Sequence, residues 1–197
     1  MLTICLATQQ QQSNAERLNH ILNEPSLRTL FREFLKSNFC EENLTFWLEV
    51  EDFKKKFRTT SSSNSAAAIQ RIGRNPSNQL PMERHHDTLI NSAFTIYNTY
   101  IAPSSPCELN IDHALRSELV VYLTDIMTNI SGKAFSGRLE PEQARALNAT
   151  QLQHMIRLYE RIQAHVFRLM ATDSVPKVSP VLRFLLRLKM TLHLLVR

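Results

Sequence analysis

The stretch that decides the fold runs from residue 38 to residue 57 and reads NFCEENLTFWLEVEDFKKKF. Large apolar residues recur in it every three or four positions, which predicts an α-helix with one broad buried face. These residues are Phe46, Val50, Phe53 and Phe57, with Leu44, Trp47 and Leu48 beside them. Acidic Glu41 and Glu42 fall in the first turn and lysines 54–56 near the predicted end, an order that complements the helix dipole.

Asn43 has a special place in this pattern, because it lies where the apolar stripe meets the N-terminus of the helix. A polar amide held at the edge of a rigid core is well suited to contact a partner. By itself, however, such a pattern is most often only a core helix with a polar tip.

Composition excludes several functional classes. The chain of 197 residues has 3 glycines, 21% charged residues and a net charge of +5, with no lysine- or arginine-rich block that would predict nucleic-acid binding. Its 3 cysteines (5, 40 and 107) are widely separated and lack metal-ligand spacing, which favours a reduced, intracellular protein without a metal site. The first eight residues do not resemble a secretory signal. The chain has neither a glycine-rich phosphate loop nor a serine nucleophile motif, so we expect no hydrolase activity of its own.

Apolar spacing along the rest of the chain predicts an all-α fold, because no segment alternates with the period of a strand. Residues 1–14 contain four consecutive glutamines and are predicted to form a disordered tail, with helices beginning at Ala15. Residues 58–84 contain a polar, serine-rich run followed by one glycine and two prolines, which predicts a flexible loop insertion. Asn110 and Thr150 are the predicted N-caps of two later helices.

Several blocks of this sequence, in order, resemble the RGS domain, the regulator of G-protein signalling, and are most similar to its fungal members. The strongest block is FCEENLTFW at 39–47 with EDFKK at 51–55, preceded by LRTLFREFLKS at 27–37. The later blocks are IYNTYI at 96–101, LNID at 109–112 and FRLMATDS at 167–174. The resemblance implies a helical bundle of about eight or nine helices over residues 15–178.

The resemblance also implies a function. RGS domains contact the switch regions of a G-protein α subunit (Gα) in its GTP-bound state and accelerate GTP hydrolysis. Gα carries its own catalytic arginine and water-orienting glutamine, so the RGS domain needs no catalytic residue and no cofactor. The expected function is therefore a GTPase activator that is not itself an enzyme. The alternative is an RGS-like scaffold that binds partners without accelerating hydrolysis.

Ten residues match the family's Gα-contacting positions. Asn43 matches the asparagine nearest the catalytic glutamine of Gα. Cys40 stands where many members have a small hydroxyl residue. Lys177 stands where many members have arginine, and lysine keeps the positive charge but lacks the planar fork of the guanidinium. The full set is Cys40, Glu42, Asn43, Asn110, Asp112, Arg116, Leu169, Asp173, Ser174 and Lys177.

Residues 179–197 form a basic, leucine-rich tail that is too short and too charged to span a bilayer. Three interpretations of the segment 178–197 stay open: a helix on an anionic membrane surface, a last helix that packs on the domain, or a poorly defined chain end. The expected location is the cytoplasm, with recruitment to the inner face of the plasma membrane.

Overall fold

The computed structural model describes the backbone of residues 2–70, 79–132, 147–178 and 180, and the side chains of 13–59, 86–129, 132, 147–178 and 180. These residues contain no strand, so the predicted all-α fold is confirmed. The helices are α1 (Leu2–Asn23), α2 (Pro25–Ser37), α3 (Glu41–Gln70), α4 (Gln79–Tyr100), α5 (His113–Ser131) and α6 (Ala149–Leu169), followed by a π-helical turn at Met170–Ser174. The total of eight or nine helices stays a prediction, because parts of the chain lie outside the described residues.

Helix α3 begins at Glu41 and buries the stripe that the sequence predicts. Phe46 and Val50 are fully buried and Phe53 is 1% exposed, whereas Phe57 at the end of the stripe is half-buried. The helix continues to Gln70, so lysines 54–56 lie in its middle and do not complement the dipole at its end. Neither glycine nor proline occurs between Glu41 and Gln70, which explains why the helix is longer than predicted.

By its internal contacts the chain divides into two compact units, residues 1–45 with 164–197 and residues 46–163, and the divisions fall inside α3 and α6. In the first unit, α1 packs against α2 and against the π-helical turn. Its core consists of leucine, isoleucine, phenylalanine and valine side chains, among them Leu18, Ile21, Phe31, Leu35, Leu44, Val166, Val175 and Val178.

The second unit is built around the aromatic residues of α3. Phe46 meets the ring of Tyr100 edge-on, with centroids 5.5 Å apart, and Phe53 meets Tyr159 in the same way at 6.2 Å. The Tyr159 hydroxyl is fully buried with its ring and donates a hydrogen bond of 2.8 Å to the carbonyl oxygen of Ala93. These contacts join α3, α4 and α6 around one core.

A buried amide adds a polar link between α3 and α6. Gln163 is 5% exposed, and its Nε2 donates to the carbonyl of Trp47 at 2.9 Å and to the carboxylate of Glu51 at 3.0 Å. Lys54 donates to the remaining oxygen of Gln163 at 3.3 Å and also pairs with Glu51 at 2.8 Å. Both polar atoms of the Gln163 side-chain amide therefore have hydrogen-bond partners, as a buried polar group requires.

Helical backbone extends into two stretches that were predicted to be a disordered tail and a flexible loop insertion. Helix α1 starts at Leu2, within the predicted disordered tail of residues 1–14. The predicted loop insertion at 58–84 contains the end of α3 and the start of α4, while its middle, residues 71–78, lies outside the described residues. Glutamine, alanine and leucine favour helices, and Pro81 falls in the first turn of α4, where proline is tolerated.

Two predicted helix caps are wrong by two residues each. Helix α5 is capped by Asp112, whose carboxylate accepts from the Ala114 N–H at 2.7 Å, and Asn110 lies before the cap. At the start of α6, Asn148 and Gln151 cap each other's backbone N–H groups at 2.9 and 2.8 Å, so Thr150 lies inside the first turn. The observed caps, Asp112 and Asn148, are residue types that cap helices as well as the predicted Asn110 and Thr150 do. The sequence does not reveal which of two neighbouring candidates has the non-helical backbone that a cap requires.

The tail of residues 179–197 lies outside the described residues, except for Pro180. Val178 directly before it is buried, at 1% exposed. No helix in the described part of the chain has the length and apolar character needed to cross a membrane. The proposed membrane contact of 178–197 stays a prediction.

The burial pattern makes a testable prediction about two phenylalanines. Phe53→Ala should lower the free energy of unfolding by about 3–5 kcal/mol, since it removes a buried ring and leaves a cavity. Phe39→Ala is the matched control, because Phe39 is 94% exposed, and it should change stability by no more than about 0.5 kcal/mol. Urea unfolding of both variants measures the difference, and equal losses would contradict this description of the core.

Candidate protein-binding residues

The turn between α2 and α3 sets the position of the first candidate residues. The N–H groups of Phe39 and Cys40 donate to the carbonyls of Lys36 and Leu35 at 3.2 and 3.0 Å, which closes the end of α2. Phe39 adopts a left-handed backbone with φ of +55°, uncommon for a residue with a side chain. Its ring is 94% exposed directly before α3, so the turn presents a large apolar surface beside the start of this helix.

Asn43 is half-buried in the first turn of α3, and its amide nitrogen is already committed. Nδ2 donates to the carbonyl oxygen of Cys40 and to the carboxylate of Glu42, both at 3.3 Å. Two acceptors on this atom define which end of the amide is the nitrogen. Among the described residues no donor contacts the carbonyl oxygen Oδ1, so that atom is available to accept a hydrogen bond from a partner.

Cys40, Glu42, Ser174 and Lys177 lie close enough to interact, which brings four predicted site residues together in the first unit. Burial, and secondarily the Glu42 carboxylate, raise the pKa of the Cys40 thiol, while the Lys177 ammonium and a hydrogen bond with Ser174 act in the opposite direction. The Cys40 thiol also donates to the Leu35 carbonyl at 3.6 Å. A protonated thiol here serves as a weak hydrogen-bond donor inside the cluster and not as a nucleophile.

The π-helical turn places the remaining residues of the late block. The turn follows Leu169, the half-buried last residue of α6, and widens the helix by one residue. Within this turn Ser174 is buried and Asp173 is exposed, and Asp173 has no ion pair within the described part of the chain. Single π-helical turns inside α-helices occur frequently at functional sites.

The second unit holds the other three predicted residues, in and after the loop between α4 and α5. Asn110 is exposed, and its side chain makes no hydrogen bond to any described residue. Asp112 is exposed, but one of its carboxylate oxygens caps α5. Arg116 is half-buried and bound to the loop itself. Of the three, Asn110 is the side chain most available to a partner.

Among the described residues, no three histidine, cysteine, aspartate or glutamate side chains are grouped so that they could hold a metal ion. His86, one of the two adjacent histidines in the sequence, instead lies 3.1 Å from the Leu147 carbonyl through its Nε2. That contact joins the first half of α4 to the segment before α6.

Comparison with known proteins decides the family. A model of the regulator of G protein signaling domain matches residues 17–178. The chain belongs to the RGS domain family. It is similar to the developmental regulator flbA of Emericella nidulans, with 36% identity over 85% of this chain and 19% of that protein. It is also similar to regulator of G-protein signaling 1 of Schizosaccharomyces pombe, with 32% identity over 84% of this chain and 27% of that protein. This RGS domain therefore spans about a fifth to a quarter of the length of these two relatives.

Partial burial at the start of α3 in this RGS domain raises the pKa of the Glu42 carboxyl. Burial, and to a smaller degree the neighbouring charge of Glu41, raise the pKa of the Glu42 carboxyl, although its backbone hydrogen bond opposes the shift. The ionised carboxylate is therefore less favourable in the folded protein than in the unfolded chain. Glu42 thus has an unfavourable ionised form and lies beside Oδ1 of Asn43, which accepts no bond from the described residues. Groups with such shifted pKa values cluster at functional sites.

Replacing Glu42 by glutamine tests this electrostatic cost. The contribution of Glu42 to stability is fully present below its ordinary pKa of about 4.5 and is lost as the pH rises through the raised folded value. We expect Glu42→Gln to be more stable than the parent at pH 7, with a difference that shrinks towards pH 4, in urea unfolding at several pH values. Glu33→Gln, at an exposed position on α2, is the control for the loss of one negative charge, and the pH trend of Glu42→Gln is measured relative to it. A Glu42→Gln protein that is less stable throughout would contradict the assignment.

Proposed function

We propose that this RGS domain is a GTPase-activating protein for a Gα subunit, and that it binds the GTP-bound state and holds the switch loops in their reactive arrangement. Membership of the RGS family supports this proposal. The observation that carries it is the state of Asn43, whose amide nitrogen is held by Cys40 and Glu42 while Oδ1 accepts no bond from the described residues.

The chemistry requires position more than reactive groups. Gα supplies the arginine that stabilises charge on the transferred phosphoryl group and the glutamine that orients the attacking water. A preorganised acceptor such as Oδ1 of Asn43 restrains a donor on a switch loop without reorganising itself, so the reactive conformer becomes more populated. This is how a protein without a nucleophile or general base accelerates hydrolysis on its partner.

The residues around Asn43 fit supporting roles. The Glu42 carboxylate accepts from the Asn43 amide and so fixes its orientation. The exposed ring of Phe39 provides apolar contact area next to these polar groups, which is the usual composition of a binding hot spot. Lys177 keeps a positive charge near Cys40, but an ammonium cannot form the two parallel bonds of a guanidinium. The exposure of Phe39 was not predicted, because no feature of the sequence pattern reveals the left-handed backbone at this residue.

Single-turnover GTP hydrolysis by a panel of Gα subunits tests the proposal. The intact domain should accelerate hydrolysis by at least one Gα, and Asn43→Ala should weaken this by about ten- to hundredfold, which corresponds to the loss of hydrogen bonding worth about 1.5–3 kcal/mol. Asn91→Ala, at an exposed position on α4, is the matched control and should retain full activity. Nucleotide release by Gα should be the same with every variant.

Two outcomes separate the competing functions. Acceleration that is lost in the Asn43→Ala protein, with its unfolding midpoint unchanged, supports the activator. Binding to Gα without acceleration by the intact domain would contradict it and would leave the scaffold interpretation.

A further inference from the structure

We propose that Arg116 is a positioning residue, which fixes the loop that carries Asn110 and does not itself contact the G-protein partner. This inference rests on the proposed function above in so far as it concerns activity. It assigns to Arg116 a role different from that implied by the family resemblance, which placed it among the contact positions.

The hydrogen bonds of Arg116 carry the argument. Its Nη1 donates to the carbonyl oxygen of Ile101 at 2.6 Å, and its Nη2 donates to the carbonyl oxygen of Leu109 at 2.7 Å. Nη1 also pairs with the carboxylate of Glu108 at 3.0 Å. Three of the five N–H donors of the guanidinium are thus engaged within the loop. Only 22% of the side chain is exposed, so little of the group is available to a partner.

These acceptors lie at opposite ends of the loop. Ile101 directly follows α4, whereas Leu109 directly precedes Asn110 in the sequence. A single planar cation anchored on α5 therefore closes the loop across its base and fixes the backbone on which Asn110 stands. Lysine could not replace it, since an ammonium does not reproduce the rigid fork that spans two carbonyls.

The loop contains two locally unfavourable features. Ser104 has a left-handed backbone with φ of +56°, unfavourable for a residue with a side chain. The Ser105 hydroxyl oxygen is buried, and no described residue is a hydrogen-bond partner for it. The first loop residues continue the bonding of α4, since the N–H groups of Ile101 and Ala102 both donate to the Tyr97 carbonyl at 2.9 Å. Farther along, the loop is bonded back to α4 from the Cys107 N–H to the Thr99 carbonyl at 3.2 Å and from the Leu109 N–H to the Tyr100 carbonyl at 2.9 Å. Arg116 adds to these backbone bonds a side-chain restraint that links the two ends of the loop to α5.

A double-mutant cycle distinguishes positioning from contact. The single-turnover acceleration of Gα is measured with the intact domain, Asn110→Ala, Arg116→Ala and the double variant. If Arg116 acts through Asn110, Arg116→Ala should weaken acceleration by about tenfold and the double variant should be no weaker than Asn110→Ala alone, within about twofold. If Arg116 contacts Gα independently, the two losses multiply, and the proposal is overturned. Arg161→Ala, which removes the exposed ion pair of Arg161 with Glu118, is the arginine control and should retain activity.

Hydrogen exchange of the free domain tests the clamp without any G protein. The Cys107 and Leu109 amides should exchange at least about tenfold faster in both Arg116→Ala and Arg116→Lys, while amides in the buried part of α3 keep their rates. If Arg116→Ala does not fold, Arg116→Lys and Glu108→Gln provide the measurement, with a smaller increase expected for Glu108→Gln, which keeps both carbonyl bonds. Unchanged exchange at Cys107 and Leu109 would overturn the clamp. Altered exchange together with an intact domain that fails to accelerate any Gα would reject the proposed function and leave the clamp in place.

Discussion

Edge-to-face contact between the phenylalanines of α3 and two buried tyrosines is the interaction on which the second unit depends. Phe46 and Phe53 are two helical turns apart, so they meet Tyr100 on α4 and Tyr159 on α6 from the same face of one helix. Each ring pair adds about 0.5–1.5 kcal/mol to the effect of burying the rings. The buried Tyr159 hydroxyl and the buried Gln163 amide donate to the carbonyls of Ala93 and Trp47, so these polar groups are hydrogen-bonded within the core.

The start of α3 has the opposite character. Within the five residues 39–43 it combines an exposed aromatic ring, a thiol and a carboxylate whose pKa values are raised by burial, and an amide whose nitrogen is already hydrogen-bonded. A sequence selected only for stability would not place a carboxylate where its ionised form is unfavourable. Such local cost, set on a rigid helix, is the arrangement expected where binding sets the residue choice.

Much of this was predictable, because helical spacing of large apolar residues is a strong local signal. Phe46, Val50 and Phe53 could be assigned to the core from the sequence alone, and the ordered blocks around them predicted the family. The helix ends were predicted less well. Asn110 and Asp112 are both good caps, and only the backbone conformation shows that Asp112 accepts the Ala114 N–H.

The roles of individual polar residues were the least accessible. The bonds of Arg116 go to backbone carbonyls, whose positions depend on how the loop between α4 and α5 folds, and no residue pattern records them. The exposure of Phe39 depends in the same way on a backbone with positive φ. Side-chain patterns therefore predict burial well, whereas roles that depend on backbone geometry require the structure.

The central claim is that this RGS domain recognises the reactive arrangement of the Gα switch loops, and its affinity for different nucleotide states tests this most directly. Binding should be measured to one Gα in three forms: with GDP, with a non-hydrolysable GTP analogue, and with GDP and aluminium fluoride, which mimics the transition state. We predict the tightest binding to the aluminium fluoride form, by at least about tenfold over the GDP form, which corresponds to about 1.4 kcal/mol. Equal affinity for all three forms would contradict the account, because a surface that does not distinguish these states cannot shift the population of switch conformations.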